Sequence, residues 1–308
     1  MNNIYDIVII GAGPAGMTAA IYAKRAKKNV LLLEKASYGG QIITTNDVEN
    51  FPTYKHISGF EFAQNLYNQI IELGVEVKFE KVIDIKDGEV KEVITSDNAY
   101  KTKTIILATG ADNRKLGIEN EDKLTGKGIS YCATCDGNFY KDKIVAVNGG
   151  GNTALEDAIY LSEIAKKVYL IHRRDSFRAD EILVNELKNK SNIELILNSN
   201  IISLNGNDKL ESIDIKNNDG NISDLKIDGL FLAIGRNPEN QNFAKIINLD
   251  EKGYIIASED CHTNKEGIFV AGDNRVKDLR QLVTATSDGA IAATEAIKYI
   301  NSKKSTNL

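Results

Sequence analysis

The stretch YDIVIIGAGPAGMTAAIYAKRAKKNVLLLEK, residues 5–35, decides the fold. Its apolar run at 7–10, rich in β-branched residues, predicts a strand. A glycine turn follows, then a helical pattern over 15–24 and a second strand over 30–33. Gly11, Gly13 and Gly16 form G-x-G-x-x-G between strand and helix. Such glycines let backbone N–H groups approach a pyrophosphate at the helix N-terminus. Glu34 ends the second strand, 34 − 11 = 23 residues behind the first glycine. An acid about 20 residues on is where a ribose hydroxyl is held. A lone G-x-G-x-x-G can be a tight turn in an ordinary strand–helix unit. The strand–turn–helix–strand–Glu order argues for a dinucleotide instead.

The same unit returns in DKIVAVNGGGNTALEDAIYLSEIAKKVYLIHRRDSFRAD, residues 142–180. Here the spacing predicts a strand over 144–147, a helix over 153–164 and a strand over 168–171. Gly149, Gly151 and Ala154 make G-x-G-x-x-A, and 172 − 149 = 23 repeats the offset. The second strand ends in His172, Arg173 and Arg174, with Arg178 behind. An acid at that place suits a free ribose hydroxyl, and arginines suit a 2′-phosphate. The first unit is therefore expected to take FAD and the second NADPH. The plain alternative for HRRDSFR is a solvated charge run, and the offset argues against it.

TIILATGAD (104–112) and GLFLAIGRNP (229–238) are apolar strands ending in glycine, at similar distances behind the two turns: 107 − 11 = 96 and 232 − 149 = 83. GIFVAGDNRVKDLRQLVTATSDGAIAATEAIKYI (267–300) predicts a strand, a Gly-Asp turn and a long helix, with no glycine-turn unit of its own. It must complete one of the other domains. The expected architecture is α/β, with two doubly wound, Rossmann-like dinucleotide-binding domains and the NADPH domain inserted into the FAD domain. The bounds read as 1–113 with 244–308 for the outer domain and 114–243 for the insert.

The 308 residues suit about two domains. A net charge of -5 with no basic tail argues against a nucleic-acid partner. No run reaches the ~18 apolar residues of a membrane helix. MNNIYDIVIIGAG lacks the basic start and long apolar core of a signal peptide, so a cytoplasmic protein off the membrane is expected.

YCATCDGNFY, residues 131–140, holds Cys132 and Cys135, two of the 3 cysteines, with Asp136 behind. In a reducing compartment such a pair is catalytic or metal-binding rather than structural. Zinc needs two more ligands. Cys261 and His262 are adjacent and, in an extended chain, point opposite ways, so no metal is expected. A dithiol fits both nucleotide sites, because a flavin passes two electrons from a nicotinamide to a disulfide. Asp136 is the nearest proton donor, since burial raises a carboxyl pKa. Its other reading is a turn or helix cap before Gly137. Cys261 reads as a packing residue.

In order, GAGPAG, ATGA, CATC-D, GGGNTA, HRR-x-x-FRA and GD-x-R-x-x-x-x-RQ resemble the low-molecular-mass bacterial thioredoxin reductases over nearly the whole chain. The resemblance implies a homodimer in which electrons pass from NADPH to FAD, to the Cys132–Cys135 disulfide and to thioredoxin. It places Gly11, Gly13, Pro14, Ala15 and Gly16 on the FAD pyrophosphate, with Glu34 and Lys35 at the adenosine ribose. Gly40, Gln41 and Asn50 fall near the flavin, and Ala108, Thr109 and Gly110 end the ATGA strand beside it. Gly272 and Asp273 hold the ribityl-phosphate, while Arg280, Gln281 and Leu282 flank the isoalloxazine. NADPH lies on Gly150, Gly151, Asn152 and Thr153. His172, Arg173, Arg174 and Arg178 surround its 2′-phosphate, and Ile234 and Gly235 close that site. Cys135 faces the flavin and Cys132 meets the substrate.

The cysteine pair and the NADPH residues fall on one domain and the flavin on the other. The insert is therefore expected to rotate on its two crossings between half-reactions. The tail NSKKSTNL carries no cysteine, so the CxxC is expected to meet its protein partner directly. A glutaredoxin-like protein or a peroxidase is a variant partner. A ferredoxin-fed relative is the rival enzyme, and a non-catalytic flavin sensor the rival of another class. HRRDSFR counts against ferredoxin, which needs no 2′-phosphate site. Asn148, Asn274 and Ser287 depart from the family pattern beside its motifs, where they bear on cofactor affinity.

Overall fold

A computed structural model describes residues 4–45 and 47–306. The chain divides into two compact units, Met1–Asp112 with Asn237–Leu308, and Asn113–Arg236. The second crossing thus lies at 236/237, not at the expected 243/244, and the first at 112/113. The reason is packing: Phe243, 2% exposed, belongs to the core of the outer unit. Asn240 donates to the carbonyls of Gly253 and Asn274, which also lie there.

The outer unit is built on a seven-stranded sheet. Glu76–Phe79, Val30–Glu34, Tyr5–Ile10 and Ala99–Leu107 run parallel in that order. Ala99–Leu107 pairs further with Ile268–Val270 through its C-terminal half and with antiparallel Lys91–Thr95 through its N-terminal half. Val82–Lys86 closes that edge. The central strands are buried on both sides, so successive residues feed two cores. Ile7 and Ile9 pack with the helices Pro14–Arg25 and Leu282–Thr306. Val8 and Ile10 pack with Phe243, Ile247 and Ile255.

The inserted unit repeats the strand order. Ile193–Ile196, Lys167–Ile171, Ile144–Gly149, Gly229–Ala233 and Ile129–Ser130 form a parallel five-stranded sheet. Val145 and Val147 face the helices Asn152–Ser162 and Glu181–Lys188. Ala146 faces an antiparallel layer, Ser199–Asn205, Ser212–Asn217 and Ile222–Lys226. The helix expected over 153–164 runs Asn152–Ser162, because Ile164 and Ala165 turn back onto Leu161 O. In both units the glycine turn ends the strand from which the order runs out in two directions, which is where open α/β sheets bind ligands.

Candidate active site

Each glycine of the first turn has its own geometric reason. Gly11 has φ +109, and a Cβ there would fall 2.2 Å from the Ala108 carbonyl oxygen. At Gly16 a Cβ would fall 1.9 Å from the Gly11 carbonyl oxygen, so strand and helix could not meet. At Gly13 nothing lies within 4 Å: the turn is open there, at the N-terminus of Pro14–Arg25. A phosphate can approach that backbone and the partial positive charge behind it.

Of the expected FAD residues, Glu34, Lys35, Gly40, Thr109 and Gly272 meet at or beside this turn from distant parts of the chain. Glu34 accepts the Ala12 N–H at 2.8 Å and the Ala36 N–H at 3.1 Å, which pins its carboxylate at the strand end. Beside it opens a cavity of about 350 Å³ lined by Gly11, Glu34, Lys35, Thr109, Glu239 and Phe243. Lys35 pairs with Glu239 at 2.5 Å. A Cβ on Gly40 would stand 3.4 Å from the Gly13 Cα. Gln41 donates to the Ala111 carbonyl, and Asn50 donates to Gln281 Oε1 at 3.1 Å. Arg280 lies 4.3 Å over the Tyr254 ring.

Ala15 draws the terminal segment in: a Cβ on Gly289 would be 2.2 Å from its carbonyl oxygen, and one on Gly272 3.0 Å from its Cβ. Buried Asp288 accepts the Gly272 N–H and Lys277 Nζ at 2.9 Å, and Arg275 through both carboxylate oxygens. Gly289, Asp288, Tyr254, Glu239 and Phe243 escaped sequence reasoning. Only Asp288-Gly289, a polar pair inside an apolar helix, left a trace that could have been followed. Asn274, a departure from the family pattern, is buried and donates to Leu107 O and Thr109 Oγ1. The open backbone at Gly13, the pinned acid and the adjoining cavity fit the adenosine and pyrophosphate of FAD.

The second turn has the same logic with different chemistry at the strand end. A Cβ on Gly149 would be 2.5 Å from the Ala233 carbonyl oxygen, while one on Gly151 meets only Arg178 O at 3.9 Å. Arg178 N–H donates to Gly150 O at 2.7 Å, which ties the arginine segment to the turn. Asn152 and Asp180 exchange hydrogen bonds at 2.8 and 3.0 Å. Arg173, Arg174 and Arg178 are exposed and, among the described residues, have no carboxylate partner. His172 differs from them. Its buried imidazole occupies the space where a Gly150 side chain would stand, and it leans on Phe177. Burial, with Arg173 and Arg174 alongside, pulls its pKa below the ordinary histidine value. The three free guanidiniums fit a phosphate, and the imidazole forms the floor of the turn.

Cys132 and Cys135 form a disulfide with Cα atoms 5.3 Å apart, at the start of the short helix Ala133–Asp136. Both are half-buried. A metal site would need them as separate thiolates. Asp136 accepts the Ser130 hydroxyl at 2.6 Å, and its carboxylate makes no capping bond to the following turn. Burial raises its pKa and the Ser130 bond opposes the rise. Cys261 is fully buried and its thiol is pushed up to about 12 by burial, as suits a packing residue.

The model of the pyridine nucleotide-disulphide oxidoreductase family matches residues 5–289. A thioredoxin reductase of Mycoplasma genitalium is 46% identical over 94% of this chain and 93% of its own. The crystal structure of a thioredoxin reductase from Streptococcus pyogenes MGAS5005 superposes with a TM-score of 0.94, at 42% identity, covering 98% of this chain and 100% of that one. One from Lactococcus lactis, in the FR conformation, gives 0.67 at 41% identity, covering 97% and 99%. The chain belongs to the pyridine nucleotide-disulphide oxidoreductases and, within them, to the thioredoxin reductases, flavoproteins that work with FAD and NADPH.

Proposed function

We propose that thioredoxin is the protein disulfide this NADPH-dependent flavoprotein reduces, with Cys132 as the attacking sulfur, Cys135 as its resolving partner and Asp136 as the proton donor. The observation that carries this reading is the half-buried Cys132–Cys135 pair with a carboxyl beside it, on the unit that also carries the exposed Arg173, Arg174 and Arg178. Bound FAD supplies the two-electron relay between nicotinamide and disulfide. Cys132, as thiolate, attacks one sulfur of the substrate disulfide and forms a mixed disulfide. Cys135 then attacks the Cys132 sulfur, which closes the enzyme disulfide and releases the substrate as a dithiol. Each substrate sulfur leaves as a thiolate and takes up a proton, which a carboxyl held above its ordinary pKa can hold and return. A ferredoxin-fed reading is disfavoured, because it leaves the three exposed arginines without a task.

The test replaces each cysteine in turn. Cys132→Ser and Cys135→Ser are expected to lose thioredoxin reduction while NADPH still bleaches the flavin. Near-wild-type turnover in either variant overturns the assignment.

The arginines and the disulfide ride on one unit and the FAD cradle on the other, so one isoalloxazine must serve both. The insert reorients about its two crossings between half-reactions. Two relatives of nearly equal identity with TM-scores of 0.94 and 0.67 support more than one arrangement within the family. A cleavable cross-link that fixes the disulfide against the flavin should block reduction by NADPH. Unchanged turnover in the locked protein would sink the rotation.

The working form is a homodimer in the cytoplasm, where NADPH is made. Exposed Phe60 and Ile71, on one face of the helix Gly59–Glu72, support a second copy covering them. Among the described residues no helix is long and apolar enough to cross a membrane. Sedimentation showing a monomer at working concentration contradicts the dimer.

A further inference from the structure

We propose that Ser130 is the positioning residue for the proton donor, its hydroxyl holding the Asp136 carboxyl beside the cysteine pair. The proposal rests on Asp136 being the acid. Ser130 ends the strand Ile129–Ser130 and is 5% exposed. Its Oγ lies 2.6 Å from Asp136 Oδ2 and 3.3 Å from the Cys132 carbonyl oxygen. A hydroxyl has one proton, and the nearer, charged acceptor takes it. The same Oγ accepts the Cys132 N–H at 3.0 Å. A continuous path therefore runs from the Cys132 amide through Ser130 to the carboxyl. The Asp136 N–H closes the loop by donating to Cys132 O at 3.1 Å. The first cysteine is gripped through both its amide and its carbonyl, and the acid is fixed relative to it.

The hydroxyl has a second consequence. A donor to a carboxylate favours the ionised form, so Ser130 opposes what burial does to Asp136. The serine thus sets how far up the pH scale the carboxyl keeps its proton. Other titratable groups lie near. Tyr140 follows in the next turn, with Asp228 and Lys143 beside its ring. Tyr160 on Asn152–Ser162 faces Gly137. Burial, with Asp136 and Asp228, pushes the Tyr140 phenol up to about 12, so it stays neutral where Asp136 titrates. The cysteine sulfurs are held in the disulfide while the carboxyl is titrated in the oxidised protein.

The test follows the carboxyl itself and turnover separately. The Asp136 carboxyl is titrated by infrared difference spectroscopy on oxidised, FAD-loaded protein with ¹³C-labelled aspartate, using Asp136→Asn to assign the band. Removing the hydroxyl in Ser130→Ala should move the titration upward by about one pH unit, the size of one hydrogen bond to a charged group. Ser130→Thr should restore the wild-type value. Ser130→Gly is the second hydroxyl-free variant should the first fail to keep its FAD. The acid must be protonated to act, so thioredoxin reduction falls as pH rises through its pKa, and that alkaline limb should move up with the carboxyl. A carboxyl that titrates as in the wild type in both hydroxyl-free variants overturns the role of Ser130. A carboxyl that moves while the alkaline limb stays in place overturns instead the reading of Asp136 as the acid, and the function of the serine with it.

Discussion

The two glycine turns share one backbone design and differ in what surrounds them. In each, the first glycine sits where a side chain would strike a facing carbonyl, that of Ala108 or Ala233. The surroundings then diverge. The first turn ends in a pinned glutamate, adjoins a cavity of about 350 Å³ and is met by the terminal segment through Gly272 and Gly289. The second ends in exposed arginines without carboxylate partners among the described residues. The contrast suits a resident cofactor in the first unit and an exchanging one in the second. Closure by a remote chain segment slows release, whereas exposed charges capture and let go.

Substitution at the third motif position of the first turn and at the second position of the second turn should separate the units most sharply. Gly16→Val puts a branched side chain where a Cβ already falls 1.9 Å from backbone. FAD should be absent from the purified protein, as read by its absorbance. Gly151→Ala meets nothing closer than 3.9 Å and should keep both FAD and fold. Full flavin content in Gly16→Val would break the geometric account of the first turn.

The two helices also differ at one inward position, half-buried in the second and buried in the first. Asp157, eight residues behind Gly149, corresponds to buried Ala19, eight behind Gly11 (157 − 149 = 19 − 11 = 8). Burial, then Glu156, raises the Asp157 pKa to about 7, with Arg236 opposing. The sign follows from which state holds the proton. Between the ordinary value of 3.8 and about 7 the folded chain keeps a proton that the unfolded chain has released. Stability from this group is therefore present at the acid end of that window and lost as pH rises through about 7. At ~1.36 kcal/mol per pH unit the loss is at most ~4 kcal/mol. Asp157→Asn should flatten the fall in melting temperature between pH 6 and pH 8. An unchanged fall places the pH dependence elsewhere.

The arginines define the smallest of the three effects. Each hydrogen bond to a charged group contributes about 1.5–3 kcal/mol. Arg173→Ala with Arg174→Ala should then cut the preference for NADPH over NADH by about a hundredfold in kcat/KM. FAD content should not change, because Arg173 and Arg174 lie in the inserted unit. Equal use of both coenzymes by the wild type would remove the chemical difference between the turns.

Much of this was legible before the fold was known, and the limits follow the range of the interactions. Strand, turn, helix and strand-end residue lie within 23 positions of each glycine, so periodicity and spacing carry them. The neighbouring CxxC and Asp136 are equally local. The domain boundary was misplaced because 237–243 reads as a polar, proline-containing crossing. Only the buried Phe243 and the bonds of Asn240 assign it to the outer unit. For Asp136 the sequence offers an acid or a cap, and its carboxylate accepts from Ser130 and makes no capping bond to the following turn.

The sequence by itself determined two glycine-turn units, an acid at one strand end and arginines at the other, and a cysteine pair beside the second. Each is written in a short window where the chemistry needs a particular residue type at a particular offset. The tertiary structure alone decided how the FAD cradle closes: Asp288 and Gly289 against the first turn, Glu239 on Lys35, Asn50 on Gln281. These contacts join residues up to 274 apart, as for Ala15 and Gly289 (289 − 15 = 274). No local pattern encodes them, because which distant side chains meet is set by the order of strands in the sheet and by the close approach of two helices.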